Sequence, residues 1–139
     1  MIAQHPHKGW YFPRSLPHFD TPERPQFITF RLFDALPAGA PGARLGEEAG
    51  AYRRRIEAAL DVGVGAAWLT QPNPAEIVVA GRLHGCGETC DLHAYVVMPN
   101  HVHVLATFRQ NFRLSDVVRG WKSVSARRIN AALGRNGPL

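Results

Sequence analysis

The chain reads LHAYVVMPNHVHVLATF at residues 92–108, and this pattern predicts an antiparallel β-hairpin. Apolar, β-branched and aromatic residues dominate both halves, as is usual in strands. Between the halves, Pro99 presets the backbone for a tight turn and Asn100 tolerates the next corner. We therefore expect one strand at 92–98 and a returning strand at 101–108.

The returning strand opens with His101-Val102-His103. Because side chains alternate between the two faces of a strand, the two imidazoles share one face and lie about 7 Å apart along the backbone. Their ring nitrogens can converge on one divalent ion and leave positions for water or a phosphate oxygen. The pair alone is a weak indication, since two solvent-facing or core histidines would give the same pattern.

A further strand is predicted at residues 27–33, where β-branched and aromatic residues alternate with polar ones. The polar residues of this strand are Thr29 and Arg31. Since helices cover only one face of such a sheet, we expect both to lie on the open face together with His101 and His103.

Three helices are predicted around these strands. The first spans 47–62, with acids in its first turn; the second is opened by Asn73-Pro74 and ends near Leu83. The third is capped by Ser115 and stops at Gly134. The order strand, helix, short helix, hairpin, helix is most of a ferredoxin-like α+β domain, with an antiparallel sheet, helices on one face and the closing strand absent.

The length of 139 residues suits one domain, preceded by a proline-rich stretch. Residues 1–26 are expected to form an extended arm and residues 27–139 the domain. No apolar run approaches the roughly 18 residues of a membrane span, and no secretory leader is apparent, so we expect a soluble cytoplasmic protein without a membrane partner. Cys86 and Cys90 are interpreted as two loop thiols, because a zinc site needs more ligands and a reducing cytosol disfavours a disulfide.

The net charge is +5, and the excess lies near the end of the chain. From Arg109 onward there are seven basic residues and one acid, so residues 1–108 carry a net charge of −1. Fourteen of the sixteen basic residues are Arg, the side chain suited to bidentate phosphate contacts. A polyanion partner explains this distribution better than a solvated basic face does, although the latter remains an alternative.

Residues 96–105 closely resemble the HUH motif of tyrosine transposases that act on single-stranded DNA hairpins. Within that group the chain is most similar to the REP-associated tyrosine transposases, and the resemblance covers about residues 9–139. The other segments that carry it are 16–20 (LPHFD), 27–32 (FITFRL), 114–118 (LSDVV) and 121–123 (WKS).

This resemblance implies a DNA transposase that cleaves and rejoins one strand with the help of Mg²⁺ or Mn²⁺. His101 and His103 would be the metal ligands and catalytic residues, and a tyrosine would form a phosphotyrosine intermediate with single-stranded or hairpin DNA. The residues expected to contact DNA are Lys122, Arg119, Arg127 and Arg128 on the last helix, Arg31 on the first strand of the sheet and Arg14 on the arm.

The chain departs from this family in its tyrosines. The family's nucleophile lies on a helix after the closing strand, whereas Tyr11, Tyr52 and Tyr95 all precede the His pair. Tyr95 lies across the turn, but an aromatic strand residue more often serves packing. We therefore expect a C-terminally truncated chain that lacks the closing strand and the tyrosine helix and is inactive alone.

Three functional interpretations follow from the sequence. The first is the transposase domain; the second is a non-cleaving DNA-binding remnant that recognises hairpin repeats. The third, a two-His metal enzyme for a small molecule, lacks the carboxylate of a facial triad after the motif. The open edge of the strand at 27–33 also predicts a homodimer.

Overall fold

The computed structural model describes residues 7, 9–11, 18–40, 42, 44–83 and 86–139. Within these ranges the chain forms an α+β domain, which confirms the predicted fold class. Its elements are β1 (Gly9–Tyr11), β2 (His18–Asp20), β3 (Pro25–Arg31), α1 (Ala49–Asp61), a 3₁₀ turn (Trp68–Thr70), α2 (Pro72–Leu83), β4 (Cys90–Val97), β5 (His101–Phe108) and α3 (Leu114–Leu133).

The main sheet has the order β3-β5-β4, with both neighbouring pairs antiparallel. Its register places Thr29 opposite His103 and Arg31 opposite His101. Directly opposed residues share a face, and the hydrogen bond between the Thr29 hydroxyl and His103 confirms the predicted placement of Thr29. Arg31 has the expected register, but it also lines a cavity on the helix side of the sheet, so its placement beside the histidines stays a prediction. The strand β3 begins at Pro25, two residues earlier than expected, because a proline is tolerated at the first residue of an edge strand.

The other face of the sheet carries the core. The core-facing residues of β5 are at most 1% exposed, and Phe108 lies 6.1 Å from the Trp121 ring of α3. Helix α2 packs beside α3, and a Cβ on Gly81 would lie 2.9 Å from the Ser125 Oγ. Glycine at position 81 therefore permits the close approach of the two helices. The core-facing residues of β5 are Val102, Val104, Ala106 and Phe108.

The ends of the helices differ from the sequence prediction in three places. Helix α2 begins at Pro72, before the predicted Asn73-Pro74 start. Glu47 does not start α1, because its carboxylate binds the Arg55 guanidinium at 2.9 Å and accepts a hydrogen bond from the Arg44 N–H. Ser115 does not cap α3: the N-cap is Arg113, without a side-chain cap bond, and Ser115 lies in the first turn. Gly134 does end this helix, with a left-handed φ of 61°.

The cysteine prediction was wrong. Cys86 and Cys90 form a disulfide, because the turn before β4 brings their Cα atoms to 4.8 Å, within the range that a disulfide spans. Spacing alone left this pairing open, and the assumption of a reducing compartment decided against it.

The N-terminal arm is partly folded. Its strands β1 and β2 pair antiparallel, with Trp10 opposite Phe19. The His7 ring bridges Asp20 and the backbone carbonyl of Gln110, at 2.8 and 2.9 Å, and this fastens the start of the arm to the loop after β5. In the described ranges, no helix has the length and apolar character needed to cross a membrane.

Candidate metal centre and nucleic-acid surface

The two histidines of β5 converge through the same ring atom. The Nε2 of His101 lies 3.2 Å from the Nε2 of His103, and the ring planes are nearly perpendicular at 83°. Two ligands of one ion lie roughly 3.0–3.4 Å apart when each is about 2.1 Å from it, so this spacing fits a shared divalent ion.

Each ring is oriented by a hydrogen bond at its other nitrogen. The Nδ1 of His101 donates to the side-chain carbonyl of Asn100 at 2.8 Å, and Nδ1 of His103 bonds the Thr29 hydroxyl at 2.8 Å. Asn100 is held in this orientation because its amide donates to the Val64 carbonyl at 3.3 Å. When both Nδ1 atoms carry the proton, both Nε2 lone pairs face each other, an arrangement that a cation between them stabilises.

Burial favours the neutral form of the first histidine. His101 is 1% exposed, and this burial lowers its pKa below the ordinary 6.5, with a smaller contribution from His103. The carboxylates of Asp61 and Glu57 act in the opposite direction on that pKa but do not reverse the shift. A neutral imidazole is the form that binds a metal, so the shift suits a ligand.

The two-histidine site lacks a third ligand already in position. In the described part of the chain, no group of three His, Cys, Asp or Glu side chains surrounds a common metal position. The nearest carboxylate is that of Asp61, whose Oδ1 lies 4.0 Å from the Nε2 of His101. The residues present therefore fit a divalent ion through two nitrogens, with an acidic side chain within reach.

An exposed aromatic side chain adjoins the two histidines. Phe27 is 60% exposed, and its ring stacks on that of His103 with the centroids 5.2 Å apart. Farther along the same face, His93 Nε2 bonds the Thr107 hydroxyl at 2.7 Å. The sequence analysis did not select Phe27. Because Phe27 lies two residues before Thr29 in the same strand, the two side chains are expected on the same face.

The predicted DNA-contacting residues are divided between two surfaces. Arg31 lies at the end of β3, and its guanidinium donates to the carbonyls of Leu32 and Phe33. It also meets Lys122 at a cavity of about 130 Å³ between the sheet and α3.

The other candidates on α3 are exposed. Arg119 lies 3.8 Å from Asp116, whereas Arg127 and Arg128 follow more than two turns later. Because α3 covers the core face of the sheet, these residues are not part of the His site itself. Arg14 lies outside the described residues.

None of the tyrosine side chains that the structure describes adjoins the two histidines. Tyr95 is opposite Val104 in the register, so it lies on the core face of the sheet, away from His101 and His103. In α1, the Arg55 guanidinium lies over the Tyr52 ring, with its central carbon 5.2 Å from the ring centroid. The side chain of Tyr11 is outside the described part.

Residues 85–136 match the family model described as "Transposase IS200 like". The matched segment contains β4, β5 and α3, and thus both histidines and the basic helix. The match covers less than half of the chain, so it shows that this segment is similar to the transposase family. No curated protein and no solved structure matches the chain.

Proposed function

We propose that this chain is an HUH-type transposase domain, related to the REP-associated group, that binds single-stranded or hairpin DNA across its open sheet face. The observation that carries the proposal is the convergence of two Nε2 atoms whose rings are both tethered at Nδ1. This arrangement lies within the segment that matches the transposase family.

In this proposal His101 and His103 hold Mg²⁺ or Mn²⁺. The ion would supply positive charge to a scissile phosphate during strand cleavage. Asn100 and Thr29 are positioning residues, because their hydrogen bonds direct the Nε2 atoms of the two rings toward one point. Arg31, across from His101 in the register, offers a guanidinium for an adjacent phosphate.

The DNA strand would be held by stacking and by charge. The exposed ring of Phe27 gives a nucleobase a stacking surface beside His103. Lys122 and the arginines at 119, 127 and 128 would bind phosphates of the hairpin stem, and Arg14 would extend these contacts along the arm.

Strand cleavage also needs a nucleophile. In the reaction of this class, a tyrosine oxygen bonds to phosphorus, the bond to the 3′ oxygen breaks, and the phosphate remains linked to the enzyme. Tyr95 lies on the other face of the sheet and does not fill this role. That placement favours a second candidate function, in which the printed chain recognises hairpin repeats and does not cut them.

A labelled hairpin tests both functions. We expect the chain to retard the hairpin on a native gel with Mn²⁺ present and to give no covalent band on a denaturing gel. Absence of binding would refute the proposed DNA partner. A covalent band that disappears in Tyr95→Phe would show that the assignment of Tyr95 to the core face is wrong.

A further inference from the structure

The last turn of α1 brings a carboxylate to the His pair. Asp61 is the final residue of this helix, and its Oδ1 lies 4.0 Å from the Nε2 of His101, the atom that also faces His103. The turn itself is anchored, since Leu60 is 2% exposed and Ile56 packs against the core. The Asp61 side chain is 65% exposed and therefore free to rotate on a fixed backbone.

The position of Asp61 is electrostatically unfavourable for the helix alone. The carbonyl end of a helix carries partial negative charge, so a carboxylate there is destabilising and a cation is stabilising. No basic residue occupies the last turn of α1. Within the described ranges, the ion-pair neighbour of Asp61 is His101, at 4.0 Å. A bound cation would remove this conflict.

The chemistry of the ion also calls for an oxygen ligand. Imidazole nitrogens suit zinc or copper, whereas carboxylate and water oxygens are the ligands that Mg²⁺ and Mn²⁺ prefer. A site made of His101 and His103 alone would therefore bind these ions weakly. An aspartate beside them changes the donor set from two nitrogens to two nitrogens and an oxygen.

We propose that Asp61 is the third protein ligand of the divalent ion. The inference rests on the proposed function, because it takes the His pair as the metal site. Neighbouring ligands of one such ion lie roughly 3 Å apart, so the carboxylate oxygen must approach His101 by about 1 Å, which a side-chain rotation provides. The segment between β3 and α2 would then serve to deliver this ligand.

Glu57 provides a matched control on the same helix. It lies one turn before Asp61, and its charge also acts on the pKa of His101, although no ion pair within 4.0 Å joins the two residues. Glu57→Gln thus removes one negative charge from the surroundings of the site, and Asp61→Asn removes a charge and replaces the proposed carboxylate ligand by a neutral amide, which is a weaker ligand. If Asp61 acted on the metal only through its negative charge and not as a ligand, the two variants would weaken metal binding similarly.

The experiment is a titration of the full chain with Mn²⁺, followed by the EPR signal of the free ion. We expect Asp61→Asn to weaken binding by about tenfold or more, in the range found when groups that support a metal site are lost. Glu57→Gln should weaken it less than about threefold, a change within the range that one surface ion pair contributes. His101→Ala should remove specific binding.

The outcomes distinguish a failure of the Asp61 assignment from a failure of the proposed metal site. Equal affinity for Asp61→Asn and the wild type, or equal loss in Asp61→Asn and Glu57→Gln, would refute the role of Asp61 as a ligand. Unchanged affinity in His101→Ala would instead refute the proposed metal site. A melting curve without metal checks folding: Asp61→Asn should melt at the same or a higher temperature, because it removes a negative charge from a helix end.

Discussion

Replacement of Asn100 by alanine tests how the metal site is assembled. Asn100 is fully buried, and its side chain makes two hydrogen bonds, one from the His101 ring and one to the Val64 carbonyl. The substitution leaves a buried N–H and a carbonyl without these partners. Each net hydrogen bond contributes about 0.5–1.5 kcal/mol, so we expect a loss of about 1–3 kcal/mol in the free energy of unfolding.

For a domain of this size, that loss corresponds to a fall in Tm of roughly 4–12 °C. The same variant should weaken Mn²⁺ binding by about 10–100-fold, because the His101 ring loses the group that fixes its tautomer and direction. The assays are a thermal melt without metal and a Mn²⁺ titration of the folded protein.

Thr29→Val is the matched control. It removes the corresponding bond to His103, but at an exposed position, where water replaces the hydroxyl. We therefore expect it to weaken Mn²⁺ binding and to change Tm by only a few degrees. An Asn100→Ala protein with the wild-type Tm and the wild-type Mn²⁺ affinity would show that Asn100 does not position the ring.

Three further outcomes are expected. Because burial lowers the pKa of His101, the unfolded chain binds more protons than the folded one below pH 6.5. Tm and Mn²⁺ affinity should therefore both decline as the pH falls from 6.5 toward the lowered pKa of His101. A rise in Tm on acidification would contradict this prediction. Lys122→Ala should reduce the slope of log affinity for hairpin DNA against log salt by about 1, and an unchanged slope would assign Lys122 to a solvated surface. Light scattering should show concentration-dependent association through the edge of β3, beyond whose end Phe33 is 69% exposed, whereas a monomer at all concentrations would refute an edge interface.

The sheet was largely predictable from the sequence because its rules are local. Strand β5 spans the predicted residues, since Pro99-Asn100 sets its start and strict alternation sets its faces. The same alternation predicts Thr29 beside His103, as the hydrogen bond between them confirms. In this region the hydrophobic pattern and the turn residues agree, which leaves one consistent register.

The parts that depend on tertiary packing were not predictable in this way. Asp61 was part of a predicted helix, but no periodicity indicates that the end of this helix reaches His101, because that contact depends on how residues 62–71 pack. The orienting bond between Asn100 and His101 is local, yet Asn100 was interpreted only as a turn residue. The prediction that Ser115 caps α3 was wrong for a related reason, because several neighbouring polar residues could have occupied the N-cap position.

The location of the histidines on β5 has a consequence for the motions of the protein. This strand is paired on both sides, whereas β3 and β4 each lie at an edge of the sheet. Amide protons of a doubly paired inner strand exchange with solvent mainly when much of the domain opens, and those of edge strands exchange through smaller fluctuations. The amides at 101–108 should thus be among the slowest to take up deuterium, so the two rings keep their relative position while the surrounding edges fray and close again.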